Sequence, residues 1–383
     1  MRWMIVNTDY GPQIDAFYRD RPWLVGAPYR QQHAQRMATF AGTADCFSHH
    51  LRQLGHEAWD VIANMEPMQR RWADEYRVAA PPSTTIGFRM RRGIVPWIER
   101  RVSNQWLYDV LAAQVRRYQP DVLYCMALET VDTAFLQSVR PHYGIAIGQH
   151  AAPMPTCDVS GYDLILSSLP NQVDAFAQMG VAAKYMPLAF EPRVLDVIDR
   201  RPKRHDVVFV GGLGKPHRAG RVLLEKLCER FDVKVWGYGI DQVPPQSPIH
   251  RCHRGVVWGR DMYQTLADAK VVFNRHIDIA GDFANNMRLF EATGVGALLV
   301  TDEKRNLGDL FEPGREVVTY RDHAACIAQI ARCLDDDRQR RQIAEAGQQR
   351  ALRDHSYTRR VGQIAAVAGR QLQRASTNDR LAA

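Results

Sequence analysis

The chain has 383 residues, 46% hydrophobic and 24% charged. At about 150 residues per domain this suggests two or three domains with cores of their own and excludes a single small module or a disordered chain. Lys and Arg outnumber Asp and Glu by 50 to 42, a formal charge of +8, which favours an anionic partner without identifying it.

No apolar run approaches the roughly 18 residues of a membrane span. The opening MRWMIVNTDYG turns polar before a signal-peptide core could form. The seven cysteines include no CxxC pair and read as free thiols of a reducing compartment, not as a disulfide or zinc framework. A cytoplasmic location is expected.

The elements follow in chain order. A strand from Trp3 to Asn7, a helix over residues 34–54 and a strand from His56 to Asn64 make a βαβ beginning. Residues 69–102 hold eight arginines against three acids, interleaved with Trp72, Phe88 and Trp97 and broken by Pro81, Pro82 and Gly93. They read as an insertion or arm on the first domain. It is either a solvated loop or a grip for an anionic acceptor or membrane surface. No nucleic-acid motif accompanies the charge, so nucleic acid is not an expected partner.

Alternation resumes with helix Gln105–Tyr118, strand Asp121–Met126, helix Val131–Ser138, strands Gly144–Gly148 and Asp163–Ser167 and helix Asn171–Met179. This pattern predicts a mostly parallel sheet. Residues 1–189 are therefore assigned to a first domain and the polar stretch 190–205 to a linker.

A second doubly wound unit, residues 206–365, opens with the strand VVFVGG from Val207. It continues through helix Ala219–Phe231, strand Val233–Trp236, helix Asp261–Ala269, strand Val271–Asn274, helix Asn286–Thr293 and strand Ala297–Thr301. His323 to about Gln373 is mainly helical with a turn near Asp335–Asp337, and residues 366–383 form a tail. Two Rossmann-like halves imply a cleft with ligands at the carboxyl ends of the strands.

Two segments carry candidate chemistry. In FVGGLGKPHRAGR, Phe209–Arg221, a strand enters a glycine-rich turn at Gly211 and Gly212 and then a helix bearing Lys215, Arg218 and Arg221. Glycines admit close backbone approach, and a helix start attracts phosphate. The segment is neither a Walker A nor a GxGxxG sequence. It is either a plain βα turn with solvated basic residues or a diphosphate contact, led by Lys215 and Arg218.

In NRHIDIAGDFANNMRLFEATGVGALLVTD, Asn274–Asp302, a polar loop enters a helix capped by Asn285 or Asn286. Arg288 and Glu291 stand three positions apart on that helix, as either an ordinary i,i+3 ion pair or an anion site beside an acceptor for sugar hydroxyls.

The run Asn286–Tyr320, with HSYTRRV at His355–Val361, resembles the C-terminal half of the CgeB-like glycosyltransferases, a group related to the retaining family-four enzymes of the GT-B fold. The similarity covers residues 205–365, and the N-terminal half resembles the fold loosely. The resemblance implies two Rossmann-like domains facing across a cleft. It also implies transfer of a sugar from a nucleoside-diphosphate donor to a hydroxyl of a glycan, lipid-linked glycan or small molecule, with retention and without a metal or other cofactor. Such enzymes serve bacterial polysaccharide biosynthesis, at times at the inner membrane face.

The resemblance places Glu291 on the ribose hydroxyls and Asn285, Asn286, Met287 and Arg288 on the donor sugar and diphosphate. It makes His150, at a strand end of the first domain, a residue facing the donor sugar; the residue by itself reads equally as a loop histidine with no role. The chain departs from the family-four pattern at Phe283, where a Glu is usual (Asp282 stands beside it), and at Gly212, where an Arg is common. Lys215, Arg218 or Arg221 would substitute for that Arg. On these residues Arg288, Lys215 and His150 are the expected catalytic groups. Two other readings keep the architecture: a nucleotide-sugar epimerase, or a catalytically silent glycan- or nucleotide-binding protein of a surface layer.

Overall fold

The computed structural model describes residues 1–91, 95–214, 218–277 and 280–382. Its strands are β1 (Arg2–Asn7), β2 (Glu57–Ile62), β3 (Thr84–Arg91), β4 (Val95–Val102), β5 (Val122–Cys125), β6 (Ile145–Gln149), β7 (Leu164–Ser167), β8 (Ala183–Tyr185), β9 (His205–Val210), β10 (Val233–Trp236), β11 (Ala269–Phe273), β12 (Leu298–Asp302) and β13 (Val318–Tyr320). One sheet runs β2-β1-β5-β6-β7-β8 and the other β10-β9-β11-β12-β13, with every neighbouring pair parallel.

Parallel strands need crossover helices on both faces, which is why their sequences are nearly continuous apolar runs. In the first sheet Met4 and Val6 face Trp106 and Leu111 of helix Gln105–Tyr118. Trp3 and Ile5 face Phe47 and Leu51 of helix Cys46–Gln53. In the second, Val207 and Val235 pack on Leu223 and Leu227 of helix Arg218–Arg230, while Val208 and Val272 pack on Leu266 and Leu289 from helices Gly259–Ala267 and Met287–Gly294.

The chain passes between the halves twice, at Phe190 and at Ser356. There the Phe190 amide donates to His355 O at 2.7 Å and the Tyr357 amide to Phe190 O at 2.8 Å. From Tyr357 onward one helix, Tyr357–Ala382, lies on the first domain's sheet, burying Val361, Ile364 and Ala368 against Trp3 and Tyr124. Beside this crossing His50 Nε2 meets Glu191 Oε2 at 3.1 Å, and Arg193 bridges Glu191 and Asp45. Burial works against the Glu191 charge, but hydrogen bonds and charges from His50 and Arg193 outweigh it and hold the carboxyl at about 2.

Two local expectations change. The predicted helix over 34–54 is two helices, Tyr29–Met37 and Cys46–Gln53, because Phe40, Gly42 and Ala44 all take left-handed backbone angles that interrupt a right-handed helix. The Arg-rich stretch begins inside helix Glu66–Tyr76, whose Gln69 and Trp72 are buried, so Trp72 belongs to the core and is not free to meet a membrane. Thereafter β3 and β4 pair as an antiparallel ribbon from Thr84↔Val102 to Arg91↔Val95. All seven cysteines are free thiols, six of them buried. No helix among the described residues is long and apolar enough to cross a membrane.

Candidate functional site

The carboxyl ends of β9, β11 and β12 converge on the start of helix Met287–Gly294. Asn286 is the cap: its backbone is extended, and its side chain accepts from the Leu289 amide at 3.1 Å. That cap is itself held by a polar ladder. Asn286 Nδ2 donates to Asn274 Oδ1 at 2.9 Å, and Asn274 Nδ2 donates to Thr301 Oγ1 at 2.9 Å. The loop before it is tied down from the other side, because Lys304 Nζ donates to Gly281 O and the Ala284 amide donates to Asn306 Oδ1, both at 2.6 Å. The free amides of the first helical turn are thereby fixed in place, as a preorganised anion site requires.

Arg288 reaches from this helix to β9, its Nε donating to Val210 O at 3.2 Å while Nη1 meets Glu291 Oε2 at 2.5 Å. Glu291 is buried, and the Tyr263 hydroxyl approaches its other oxygen at 3.5 Å. Burial raises the Glu291 carboxyl above its ordinary range against the lowering influence of Arg288 and Tyr263. A carboxylate has about four lone-pair sites, so Glu291 keeps capacity for further donors.

The glycine-rich turn lies against the turn after β10. The Gly211 amide donates to Trp236 O at 3.0 Å and the Leu213 amide to Tyr238 O at 2.9 Å. Contact is so close that a Cβ on Gly237 would sit 2.0 Å from Gly211 O, which no side chain permits. Gly212 and Arg221 line one small cavity, and Arg221 Nη1 donates to Gln242 O at 2.8 Å. Arg218 is the first residue of helix Arg218–Arg230. Lys215, the leading basic candidate, lies outside the described residues.

The two domains meet along one side of the cleft. Gly259, with φ of +54°, sits where a Cβ would be 2.0 Å from Thr39 O, and the Arg260 amide donates to that same oxygen at 2.8 Å. Tyr10 of the first domain and Tyr238 of the second flank Trp258, with centroids 6.2 and 6.0 Å from it. Next to them opens a cavity of about 580 Å³ lined by Gln13, Arg36, Thr39, Trp258 and Arg260. Arg36 is fully buried there and pairs with both Asp9 carboxylate oxygens at 2.7 Å.

Asn286, Arg288 and Glu291 are thus brought together on one helix. Asn285 is buried beside them, and Met287 packs toward the first domain's core. His150 stands on the opposite domain at the end of β6, buried, with Nε2 2.8 Å from Pro153 O and its ring edge-on to Phe176. Phe283 lies under the Arg305 guanidinium, 5.8 Å from ring centre.

Sequence reasoning misses the pair His276 and Asp302, although both lie within the segment Asn274–Asp302. The available signal was a histidine two residues beyond a strand end with an aspartate closing the next strand. It passed over Asp9 and Arg36 too, whose pairing across 27 residues leaves no local pattern. Among the described residues no group of three His, Cys, Asp or Glu side chains is placed to hold a metal.

Architecture of this kind, two parallel-sheet domains with a polar cleft between strand ends, defines the GT-B fold, and solved glycosyltransferase structures share it. Anabaena HepE, in a complex with UDP and glucose, superposes with a TM-score of 0.59 at 12% identity over 96% of this chain and 99% of its own. AviGT4, a glycosyltransferase of avilamycin A biosynthesis, gives 0.57 at 16% identity over 97% and 98%. Sucrose-phosphate synthase from Thermosynechococcus elongatus gives 0.57 at 11% identity over 98% and 100%.

More particularly, residues 217–366 match a family described as glycosyl transferase-like, so the second half carries a glycosyltransferase-like domain. No curated protein sequence matches the chain.

Proposed function

We propose that the chain is a glycosyltransferase that binds a nucleoside-diphosphate sugar on its second domain and transfers the sugar, with retention, to a hydroxyl of an acceptor presented by the first. The observation that carries this reading is the capped helix start with Arg288 and the buried Glu291, inside the matched segment 217–366. HepE, which shares the fold, has been solved in complex with UDP and glucose, which supports a uridine nucleotide as the first donor to test.

Each group of the second domain has a part in the proposal. Glu291 accepts hydrogen bonds from the ribose hydroxyls through its uncommitted lone pairs. Asn285, Asn286 and Met287 line the donor with their backbone and caps. Charge develops on the leaving diphosphate, and Arg288, the helix amides and the basic groups Lys215, Arg218 and Arg221 behind Gly211 and Gly212 stabilise it in place of a metal ion. His150 stands on the first domain's side of the cleft, but its Nε2 is held by Pro153 O, and it is given no part in the transfer. The ribbon β3–β4, with its arginines, belongs to the acceptor side, where it would meet an anionic glycan, a lipid-linked acceptor or the membrane surface that carries it.

The test is thermal stability of the full chain against UDP, GDP, ADP, CMP and their sugar conjugates. A ligand at about 100 times its dissociation constant adds about 2.7 kcal/mol. A selective shift with one nucleotide, lost in Glu291→Ala, is expected. Absence of a shift with every nucleotide would overturn the proposal in favour of a silent glycan-binding protein.

A further inference from the structure

His276 follows β11 by three residues and is fully buried. Two hydrogen bonds fix it to the end of β12: its backbone amide donates to Asp302 Oδ1 at 2.9 Å, and its ring Nδ1 lies 2.7 Å from the same oxygen. A carboxylate oxygen only accepts, so Nδ1 carries a proton, and in the neutral ring that is the only one. Asp302 is firmly ionised: burial opposes its charge, yet the bonds from His276 and the nearby Lys304 ammonium hold its carboxyl below the usual range. The ring is therefore oriented, and in its neutral form the tautomer is set with the lone pair on Nε2.

That nitrogen is closed off from solvent and has no hydrogen-bond partner among the described residues. An orphaned polar atom of this kind costs on the order of 1–3 kcal/mol, and buried polar groups in native proteins are nearly all paired with protein, water or a ligand. His276 lines a cavity beneath the glycine-rich turn, together with Gly212, Leu213, Gly220, Arg221 and Arg275. The cavity measures about 30 Å³. A water-sized group needs roughly 10–15 Å³ on this measure, so the space admits a single oxygen-bearing group and not a whole sugar ring or phosphate.

A neutral imidazole with Nδ1–H presents an acceptor at Nε2 and pairs with a hydroxyl that donates. A diphosphate near neutral pH offers acceptors only, so it is the wrong partner for this nitrogen. We propose that His276, oriented by Asp302, is a donor-contacting residue whose Nε2 accepts a hydrogen bond from one hydroxyl of the sugar to be transferred. This inference rests on the nucleotide-sugar reading above. It assigns the selection between a bare nucleotide and its sugar conjugate to a side chain outside the capped helix.

The test compares dissociation constants of UDP and UDP-glucose, measured by calorimetry on the full chain, for the wild type, His276→Asn and Asp302→Asn, with thermal midpoints of all three as a check on folding. If UDP shifts nothing in the nucleotide panel, the nucleotide that does replaces it together with its glucose conjugate. In His276→Asn, UDP affinity is expected to stay within twofold while the sugar conjugate binds at least tenfold more weakly, a difference of about 1.4 kcal/mol. Asp302→Asn, which loosens the tautomer but leaves the ring, is expected to lie between the two.

Equal weakening of both ligands would assign His276 to the phosphates or to structure and overturn the proposal. Unchanged affinity for both would overturn it as well and leave a structural water as the occupant. Binding of no nucleotide by the wild type would instead overturn the functional reading on which it rests, so the two failures are distinguishable.

Discussion

The two sheets are built alike, but the polar groups at their carboxyl ends are used differently. In the first domain the charged groups are committed to partners, Asp9 to Arg36 and His150 to the carbonyl of its own loop, although Gln13 Nε2 and Ser168 Oγ have no partner among the described residues. In the second they are arranged and left with capacity, as at Glu291, the amides of helix Met287–Gly294 and Nε2 of His276. The contrast teaches where ligand energy can come from. A buried polar group already satisfied holds the fold together, whereas one that is oriented yet unsatisfied gains from a ligand.

The largest effect expected from this contrast is on stability. Arg36→Ala strands the Asp9 carboxylate in the core and should cost about 3–5 kcal/mol in urea denaturation. A loss below about 1 kcal/mol would mean that the first domain does not depend on its internal pairs.

Next comes Arg288→Ala. If its guanidinium stabilises the leaving diphosphate, kcat should fall by about 10²–10³, some 2.7–4 kcal/mol, with a smaller change in donor affinity. Equal changes in both would reduce Arg288 to an anchor.

Glu291→Ala should weaken donor binding by about 1–3 kcal/mol, read by calorimetry. Because burial holds the Glu291 carboxyl above its ordinary range, this group takes up its proton earlier on acidification than an exposed glutamate. Wild-type donor affinity should therefore drop as pH falls through that raised value, and Glu291→Gln should lack that part of the dependence. An unaltered pH profile in the variant would remove Glu291 from the donor site.

The smallest effect joins the two regions. Tyr10 and Trp258, stacked across the domain boundary, should show a coupling of about 0.5–1.5 kcal/mol in a double-alanine cycle. A coupling of zero would mean that this ring pair does not help hold the domains together and that contacts such as Arg260 to Thr39 do so instead.

Much of the second domain's candidate site was legible as a cluster because its parts lie close together in the chain. Asn286, Arg288 and Glu291 fall within six residues, and a helix converts that spacing into adjacency without help from the rest of the molecule. Parallel strands were legible for a similar reason, since burial on both faces writes itself as runs such as VVFV. Residues 34–54 misled because the composition of a helix continues through a break that three left-handed residues make. The antiparallel ribbon in the Arg-rich stretch and the core position of Trp72 carried no periodicity strong enough to read.

The sequence by itself determined two parallel α/β units, the capped helix and the basic character of the chain, all properties of local order. Tertiary structure alone decided that the last helix covers the first domain, that Arg36 belongs to Asp9, that Phe190 and Ser356 mark the crossing, and that Asp302 pairs with His276. Those pairings join residues from 26 to more than 160 positions apart, and the free energy that selects them comes from burial and hydrogen bonding in three dimensions, which no local pattern of residues encodes.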